Sequence, residues 1–490
     1  MLRGSSLLFR SKPSPPHLLR CLTFAGTAEI LKSDWRTYVS TMDPTTFHLV
    51  SLGCAKNRVD SEVILGALLA AGYQPENDPL KAQLLVVNTC SFIESAAQES
   101  IDTILEIAQA KEKGACRLVV VTGCLPQRYG KKLAQALPEV DLFLGTGTFR
   151  CLPALVSRHQ PGDPQEIFLD PPRFLMDAGT PRELSGPSYS AYLKVAEGCS
   201  NRCSFCTIPA IRGPYRSRSL DDLLREAGWL ASRGVRELNL VAQDTTAYGE
   251  DLGPTPRLAD LLEALAGTAL FPWIRILYAH PHRITERLLE VMGSHHSICP
   301  YLDIPFQHAS ERVLKAMGRS GSAPEFLELL RSIRGKLSGA IFRTTVIVGF
   351  PGEAEADFQE LYEFVGQARF QRLGIFPYSP EKGTAAARLG DRVPERIKTR
   401  RLRKLAGLQE RISLVYHREL VGTTQPVLIE GTSPETDLLL EGRLPSQAPE
   451  VDGRVLINRG FGRIGEIMAV RLTEAHPHDL VGEIVGSEML

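Results

Sequence analysis

Tyr192-Leu193-Lys194-Val195-Ala196-Glu197-Gly198-Cys199-Ser200-Asn201-Arg202-Cys203-Ser204-Phe205-Cys206 is the stretch on which the reading turns: a short apolar strand, a glycine, then three cysteines within eight residues. Thiolates this close along the chain can hold one metal centre. Structural zinc normally takes four protein ligands, and no fourth cysteine or histidine stands nearby. A four-iron cluster held by Cys199, Cys203 and Cys206 has a different logic, because it leaves one iron open to a ligand that must react. The competing reading is a zinc knuckle, or loop thiols that bind nothing.

Downstream of this loop, apolar strands alternate with helical patterns. Strands are expected at 192–195, 237–241, 274–278, 301–304, 342–348 and 373–376. Six strands alternating with helices indicate an open or partial (β/α)6 barrel of TIM-like type. A basic helical stretch over 391–418 follows and reads as a solvated face. The tail over 420–490 changes to five short strands broken by Gly and Pro, at 426–430, 438–441, 455–458, 466–472 and 480–485, which fits a small β-barrel.

Upstream, the text from Phe47 also reads strand, helix, strand, helix, and predicts a parallel α/β domain with strands at 47–52, 84–88 and 118–121. Each of these strands ends on a cysteine: Ser51-Leu52-Gly53-Cys54, Val87-Asn88-Thr89-Cys90 and Val121-Thr122-Gly123-Cys124. Intervals of about 35 residues accommodate a βαβ crossover, so the strands run parallel and their carboxyl ends share one edge. Cys54, Cys90 and Cys124 therefore converge where open α/β sheets bind ligands. Gly53 and Gly123 let the backbone turn tightly there. The competing reading is three buried thiols acting as small hydrophobes. Cys21, Cys116, Cys151 and Cys299 share no such pattern and are read as structural. A Pro-rich passage over 160–190 reads as a linker.

Bulk properties set the frame. A chain of 490 residues with 43% hydrophobic and 23% charged residues and a formal net charge of zero is multidomain, with no overall pull toward nucleic acid or membrane. No apolar run reaches the roughly 18 residues that span a bilayer. Clustered cysteines without a need for disulfide staples favour a reducing compartment, and a cytoplasmic location is expected. Residues 1–28 lack acidic side chains and carry Arg3, Arg10, Lys12 and Arg20 among serines and prolines, as organelle transit peptides do. The lack of an amphipathic helical pattern favours instead a start placed too early, with Met42 the true beginning.

With both triads in view, the sequence resembles the radical S-adenosylmethionine superfamily and, within it, the methylthiotransferases. The likeness runs from Phe47 to the C-terminus. It implies an extension over 1–45, an N-terminal methylthiotransferase domain over 46–160, a linker over 161–190, a radical S-adenosylmethionine domain over 191–418, and a TRAM-like, OB-like β-barrel over 419–490. It implies two 4Fe-4S clusters and S-adenosylmethionine as cofactors. The catalytic cluster falls to Cys199, Cys203 and Cys206, and the sulfur-donating cluster to Cys54, Cys90 and Cys124. Phe205 takes the aromatic position near adenine, Gln243 the position that contacts the methionine amino group, and the Gly349 turn a place near adenine. The strand-end positions of Gln307 and Glu353 put them in the same pocket. An electron donor of flavodoxin or ferredoxin type and a sulfur source follow as partners.

The family contains enzymes that modify an adenosine of transfer RNA and enzymes that modify an aspartate of the twelfth protein of the small ribosomal subunit. From 420 to 490 there are five arginines, no lysine and eleven acidic residues, a net charge of −6. An RNA-gripping module needs a basic surface, whereas an acidic barrel suits a basic ribosomal protein, so strong nucleic-acid binding is not expected. The wording Ser51-Leu52-Gly53-Cys54-Ala55-Lys56-Asn57-Arg58-Val59-Asp60-Ser61-Glu62, Tyr301-Leu302-Asp303-Ile304-Pro305-Phe306-Gln307-His308 and Ala448-Pro449-Glu450-Val451-Asp452-Gly453 resembles the ribosomal-protein branch. The rival readings are a transfer-RNA methylthiotransferase and a non-catalytic metal-binding docking protein.

Overall fold

The structure is a computed structural model that describes residues 45–434 and 436–489. The readings placed on the N-terminal extension and on Cys21 lie outside the described residues. The chain divides into two compact units, 1–186 with 207–214, and 187–206 with 215–490.

The first unit is built on a parallel sheet of β1 (Thr46–Ser51), β2 (Gln74–Pro75), β3 (Leu84–Thr89), β4 (Leu118–Gly123), β5 (Leu142–Leu144) and β6 (Glu166–Phe168), in the order β2-β1-β3-β4-β5-β6. β3 and β4 are buried along their whole length, as the continuous runs Leu84-Leu85-Val86-Val87 and Leu118-Val119-Val120-Val121 require of central parallel strands. Leu85, Val87, Val119, Val121 and Phe143 anchor the core on one face. Each such side chain contributes roughly 1.5–3 kcal/mol on burial. The strand order reverses at β1 and β3, which makes that pair the topological switch point.

The Pro-rich passage read as a linker packs in part on the first unit. Its residues 166–168 add β6 to the sheet edge, and Arg182 is buried in an ion pair with Glu62 of the helix Ala55–Ala70 at 2.6 Å. Proline spacing reported a lack of regular structure and was blind to packing.

The second unit carries β7 (Ser190–Lys194), a short antiparallel pair of β8 (Ala196–Glu197) and β9 (Arg216–Ser217), then β10 (Glu237–Val241), β11 (Trp273–Ile276), β12 (Ile298–Asp303), β13 (Ile341–Val348) and β14 (Arg372–Pro377). β7 and β10 to β14 form one parallel sheet in strictly sequential order, open between its edges β7 and β14. Sequential parallel order sends every strand's carboxyl end to one rim.

After the sheet comes the helix Glu395–Leu420, about 39 Å long. It is not simply a solvated face. Lys398, Arg401, Gln409, Ser413 and His417 form a buried polar stripe at helical spacing. Lys398 donates to Tyr378 O at 2.8 Å, Gln409 to Phe370 O at 2.8 Å and Ser413 to Gln371 O at 3.1 Å. The helix docks by hydrogen bonds where an amphipathic pattern would show hydrophobes.

The chain ends in a closed five-stranded barrel of β15 (Thr424–Ser433), β16 (Thr436–Arg443), β17 (Val455–Arg459), β18 (Ile467–Ala475) and β19 (Leu480–Met489), ordered β15-β16-β17-β19-β18. Val427, Ile429, Val455, Ile457, Val470, Leu472 and Leu480 fill it. Among the described residues no helix is long and apolar enough to cross a membrane.

Candidate functional site

In the first unit, β1, β3 and β4 are neighbours whose registers align Ser51 with Asn88 and Asn88 with Thr122. Cys54, Cys90 and Cys124 follow those strands at the switch-point rim. Cys54 precedes the helix Ala55–Ala70, and Cys124 opens the helix Cys124–Tyr129. The backbone around them is cut to shape. Gly53 has φ +93°, and a Cβ there would meet Cys90 Cβ at 2.6 Å and its Sγ at 3.0 Å. Gly123 has φ +99°, and a Cβ there would meet Thr89 O at 2.7 Å.

Polar side chains fix the three arms. Asn57 Nδ2 donates to Leu52 O at 2.6 Å, holding the turn before Cys54. Asn88 Nδ2 donates to Asn57 O at 3.0 Å and Ser61 Oγ at 2.8 Å. Ser100 Oγ grips Cys90 on both sides, donating to its O at 2.8 Å and accepting from its N at 3.1 Å. Arg212, buried, donates through Nη1 to Asp60 Oδ2 at 2.6 Å, and through Nη2 to Asn57 Oδ1 at 3.2 Å and Cys124 Sγ at 3.4 Å.

The thiols feel one another. Burial, then the charges of Cys124 and Cys54, push Cys90 up to about 12. Burial raises Cys124 against the pull of Arg212. The protein around Cys54 pushes it up too, but the charges of Lys56 and Arg212 outweigh this and lower it. Three thiolates in this cradle are short of positive charge, which the iron of a cluster would supply. Among the described residues no three or more His, Cys, Asp or Glu side chains are grouped as ligands of a single metal ion. A zinc ion requires its ligands to share one centre at about 2.3 Å, whereas the thiolates of a cubane bind separate irons and stand further apart. The chemistry of this donor set fits a cluster.

In the second unit the loop with Cys199, Cys203 and Cys206 leaves β7 and β8 at the carboxyl rim. Ser204 pins it: its N donates to Met317 O and its Oγ to Ala316 O, both at 2.8 Å, and its O accepts from Ala386 N at 2.8 Å. Gly318 permits the approach, since a Cβ there would lie 2.6 Å from Arg202 O. Burial raises the Cys199 thiol. Arg319 bridges Cys203 Sγ at 3.7 Å and Pro305 O at 2.9 Å. Asn201 and Arg283 both donate to Asp244 Oδ2, at 2.9 and 2.8 Å.

Phe205 packs on the cluster formed by Val313, Met317, Phe350 and Tyr378. The aromatic of the cysteine loop and the Gly349-Phe350 turn therefore share one wall. Gln243 follows β10, half-buried. Gln307 follows β12 with φ +72° and bridges to Val346. His280 follows β11, and burial with the charges of Arg319 and Arg283 lowers it to about 3, so its ring is neutral.

Glu353, expected in the cofactor pocket, turns its carboxylate onto its own turn. Its Oε2 accepts from Gly349 N and from Phe350 N, the latter at 3.0 Å, and its Oε1 pairs with Arg401 at 3.1 Å. The carboxylate holds the turn it belongs to, at φ +75° for Gly349. Sequence reasoning missed Arg212, Arg319, Asn201 and Arg283. Asn57 and Asp60 stood inside the Cys54 motif, and their i, i+3 spacing on one helix face was the available signal.

Comparison with known proteins adds three family models. Residues 46–145 match an uncharacterized protein family, UPF0004, residues 193–365 match the Radical SAM superfamily, and residues 421–485 match the TRAM domain. The chain is 49% identical to the ribosomal protein uS12 methylthiotransferase RimO of Geotalea uraniireducens, across 89% of this chain and 98% of that one. It is 50% identical to the RimO of Syntrophobacter fumaroxidans, across 90% and 98%. The Myxococcus xanthus RimO is 49% identical across 91% and 93%. Among solved structures, the radical S-adenosylmethionine methyltransferase TsrM of Kitasatospora setae superposes with a TM-score of 0.50 at 15% identity, covering 78% of this chain and 81% of that one, a likeness of fold.

Proposed function

The chain belongs to the RimO family of ribosomal protein uS12 methylthiotransferases, and on that premise we propose that it attaches a methylthio group to the β carbon of an aspartate in uS12. The observation that carries the reading is the pair of cysteine triads, each at the carboxyl rim of its own parallel sheet. A cluster and S-adenosylmethionine bound at the Cys199 triad would supply a radical able to remove a hydrogen atom from the substrate carbon, a cluster at the Cys54 triad would supply sulfur, and a second S-adenosylmethionine would supply the methyl group.

Attaching sulfur to an unactivated carbon lies beyond any acid or base side chain at neutral pH, so the protein's share is binding, orientation and exclusion of water. Cys199, Cys203 and Cys206 would hold one cluster, and Cys54, Cys90 and Cys124 the other. Phe205, Gln243, Gln307 and the Gly349 turn line the S-adenosylmethionine pocket, with Glu353 keeping the turn in shape. The net charge of −6 over residues 420–490 suits a basic protein acceptor better than RNA. The electron donor is of flavodoxin or ferredoxin type, and the site of action is the cytoplasm.

The test is an anaerobic reaction with S-adenosylmethionine, a reductant, a sulfur source, and either a uS12 peptide or transfer RNA, read by mass spectrometry. The peptide gains the methylthio group. Gain on transfer RNA alone would sink the reading. Cys203→Ala abolishes release of deoxyadenosine, while Cys90→Ala spares much of it and stops sulfur insertion.

A further inference from the structure

We propose that Arg212 is the positioning residue of the Cys54, Cys90 and Cys124 centre, and that its bond to the Cys124 sulfur sets the redox poise of the cluster held there, an inference that rests on the reading of this triad as a cluster site.

The guanidinium is a fork with a division of labour. Nη1 meets the Asp60 carboxylate at 2.6 Å, a pair in which both side chains are buried, so the charge is balanced and the planar group is fixed. Nη2 is shared between Asn57 Oδ1 at 3.2 Å and Cys124 Sγ at 3.4 Å. Asn57 is itself the residue that holds Leu52 O before Cys54. One side chain thus ties the Cys54 arm to the Cys124 arm. A purely structural arginine would be satisfied by Asp60 and Asn57. The third bond, to a ligand sulfur, is the feature that reaches a metal centre.

A hydrogen bond and a positive charge beside a ligand sulfur draw electron density from the cluster and favour its more negative, reduced form, which raises the reduction potential. Lysine at 212 would keep the charge but not a planar fork able to meet Asp60 and Cys124 together. Methionine would keep the bulk and lose both.

The experiment uses the full chain with Cys199, Cys203 and Cys206 all changed to alanine, so that iron reports on one centre. It is reconstituted anaerobically with ferrous iron and sulfide, assayed for iron, and titrated redox-wise by electron paramagnetic resonance. The parent holds about four irons per chain. Arg212→Met shifts the midpoint to lower potential with iron retained, and Arg212→Lys shifts it less. Should Arg212→Met lose its iron, a lowered potential in Arg212→Lys carries the proposal. An unchanged potential in every variant that keeps its iron overturns it. So does loss of iron from both variants with folding intact by circular dichroism, which would make Arg212 a strut. Absence of iron from the parent would instead overturn the reading of the triad itself.

Discussion

Arg443 and Glu237 stand 206 positions apart and meet in a two-point ion pair, Nη2 on Oε2 at 2.6 Å and Nη1 on Oε1 at 3.1 Å. Both are buried, and Arg275 adds a third bond to Glu237 at 3.0 Å. Glu237 begins β10 and Arg443 ends β16, so the C-terminal barrel is locked to the amino edge of the parallel sheet, away from the rim that carries Cys199. Burial opposes the charge on Glu237, but the Arg443 and Arg275 guanidiniums hold its carboxyl well below the usual carboxylate range.

Arg443→Met strips Glu237 of its closer partner in a buried setting. Breaking such a pair costs about 3–5 kcal/mol, and Arg275 keeps the expected loss near the lower end, about 3 kcal/mol. A fall in the urea midpoint of the full chain should show it. The double variant Glu237→Gln with Arg443→Met should recover part of the loss, because no lone carboxylate remains. A loss under about 1 kcal/mol in the single variant would mean that the pair does not join the two modules.

Gly53→Ala tests the cradle. The substitution places a Cβ 2.6 Å from Cys90 Cβ at a residue with φ +93°. The backbone strain is of order 1–2 kcal/mol, and the clash must be relieved by moving Cys90. Iron should fall from about eight to about four per chain, while release of deoxyadenosine persists. Full iron content in this variant would show that the Gly53 turn does not shape the site.

Much of this was legible in the sequence, and for stated physical reasons. β3 and β4 announced themselves because a strand buried on both faces reads as an unbroken apolar run. Cys54, Cys90 and Cys124 could be brought together because parallel topology sends strand ends to one edge. Arg212 could not be found this way. It lies six positions after Cys206, yet packs in the other compact unit, so its chain neighbours gave no hint of its partners. The buried stripe of the helix Glu395–Leu420 was hidden because hydrophobic periodicity detects apolar faces, and this one is Lys398, Arg401, Gln409, Ser413 and His417. Glu353 was placed near the cofactor from its position, and only the bonds to Gly349 N and Phe350 N revealed which way its carboxylate faces.

Glu353→Gln tests what the carboxylate does for the turn. The amide still fills the space but loses the charge that the two backbone donors and Arg401 complete. A charge-assisted bond contributes about 1.5–3 kcal/mol, and part of this should appear as slackening of the Gly349 turn. Binding of S-adenosylmethionine, measured by equilibrium dialysis on the iron-loaded chain, should weaken roughly tenfold, with iron content unchanged. Unaltered affinity would place the turn outside the pocket.

His417 contributes to the acid sensitivity of the second unit. The ring is wholly buried, with Nδ1 2.6 Å from His476 O and Nε2 accepting from Arg372 Nη1 at 2.9 Å. Burial, then the Arg372 charge, lowers it to about 4, so it is held neutral with Nδ1 donating. In the unfolded chain a histidine titrates near 6.5. Between pH 6.5 and 4 the unfolded chain therefore binds more protons than the folded one, and stability falls as pH falls through that window. Above it the contribution of the neutral ring is fully present. From pH 7 to pH 5 the loss from this group is about 2 kcal/mol. His280 and other groups also respond to acid, so the measurement is a comparison: urea midpoints at both pH values for the chain and for His417→Gln. The variant should lose less stability than the parent on acidification. Equal losses would mean that His417 carries its proton in the folded state, and that the Arg372 bond is not formed through a neutral ring.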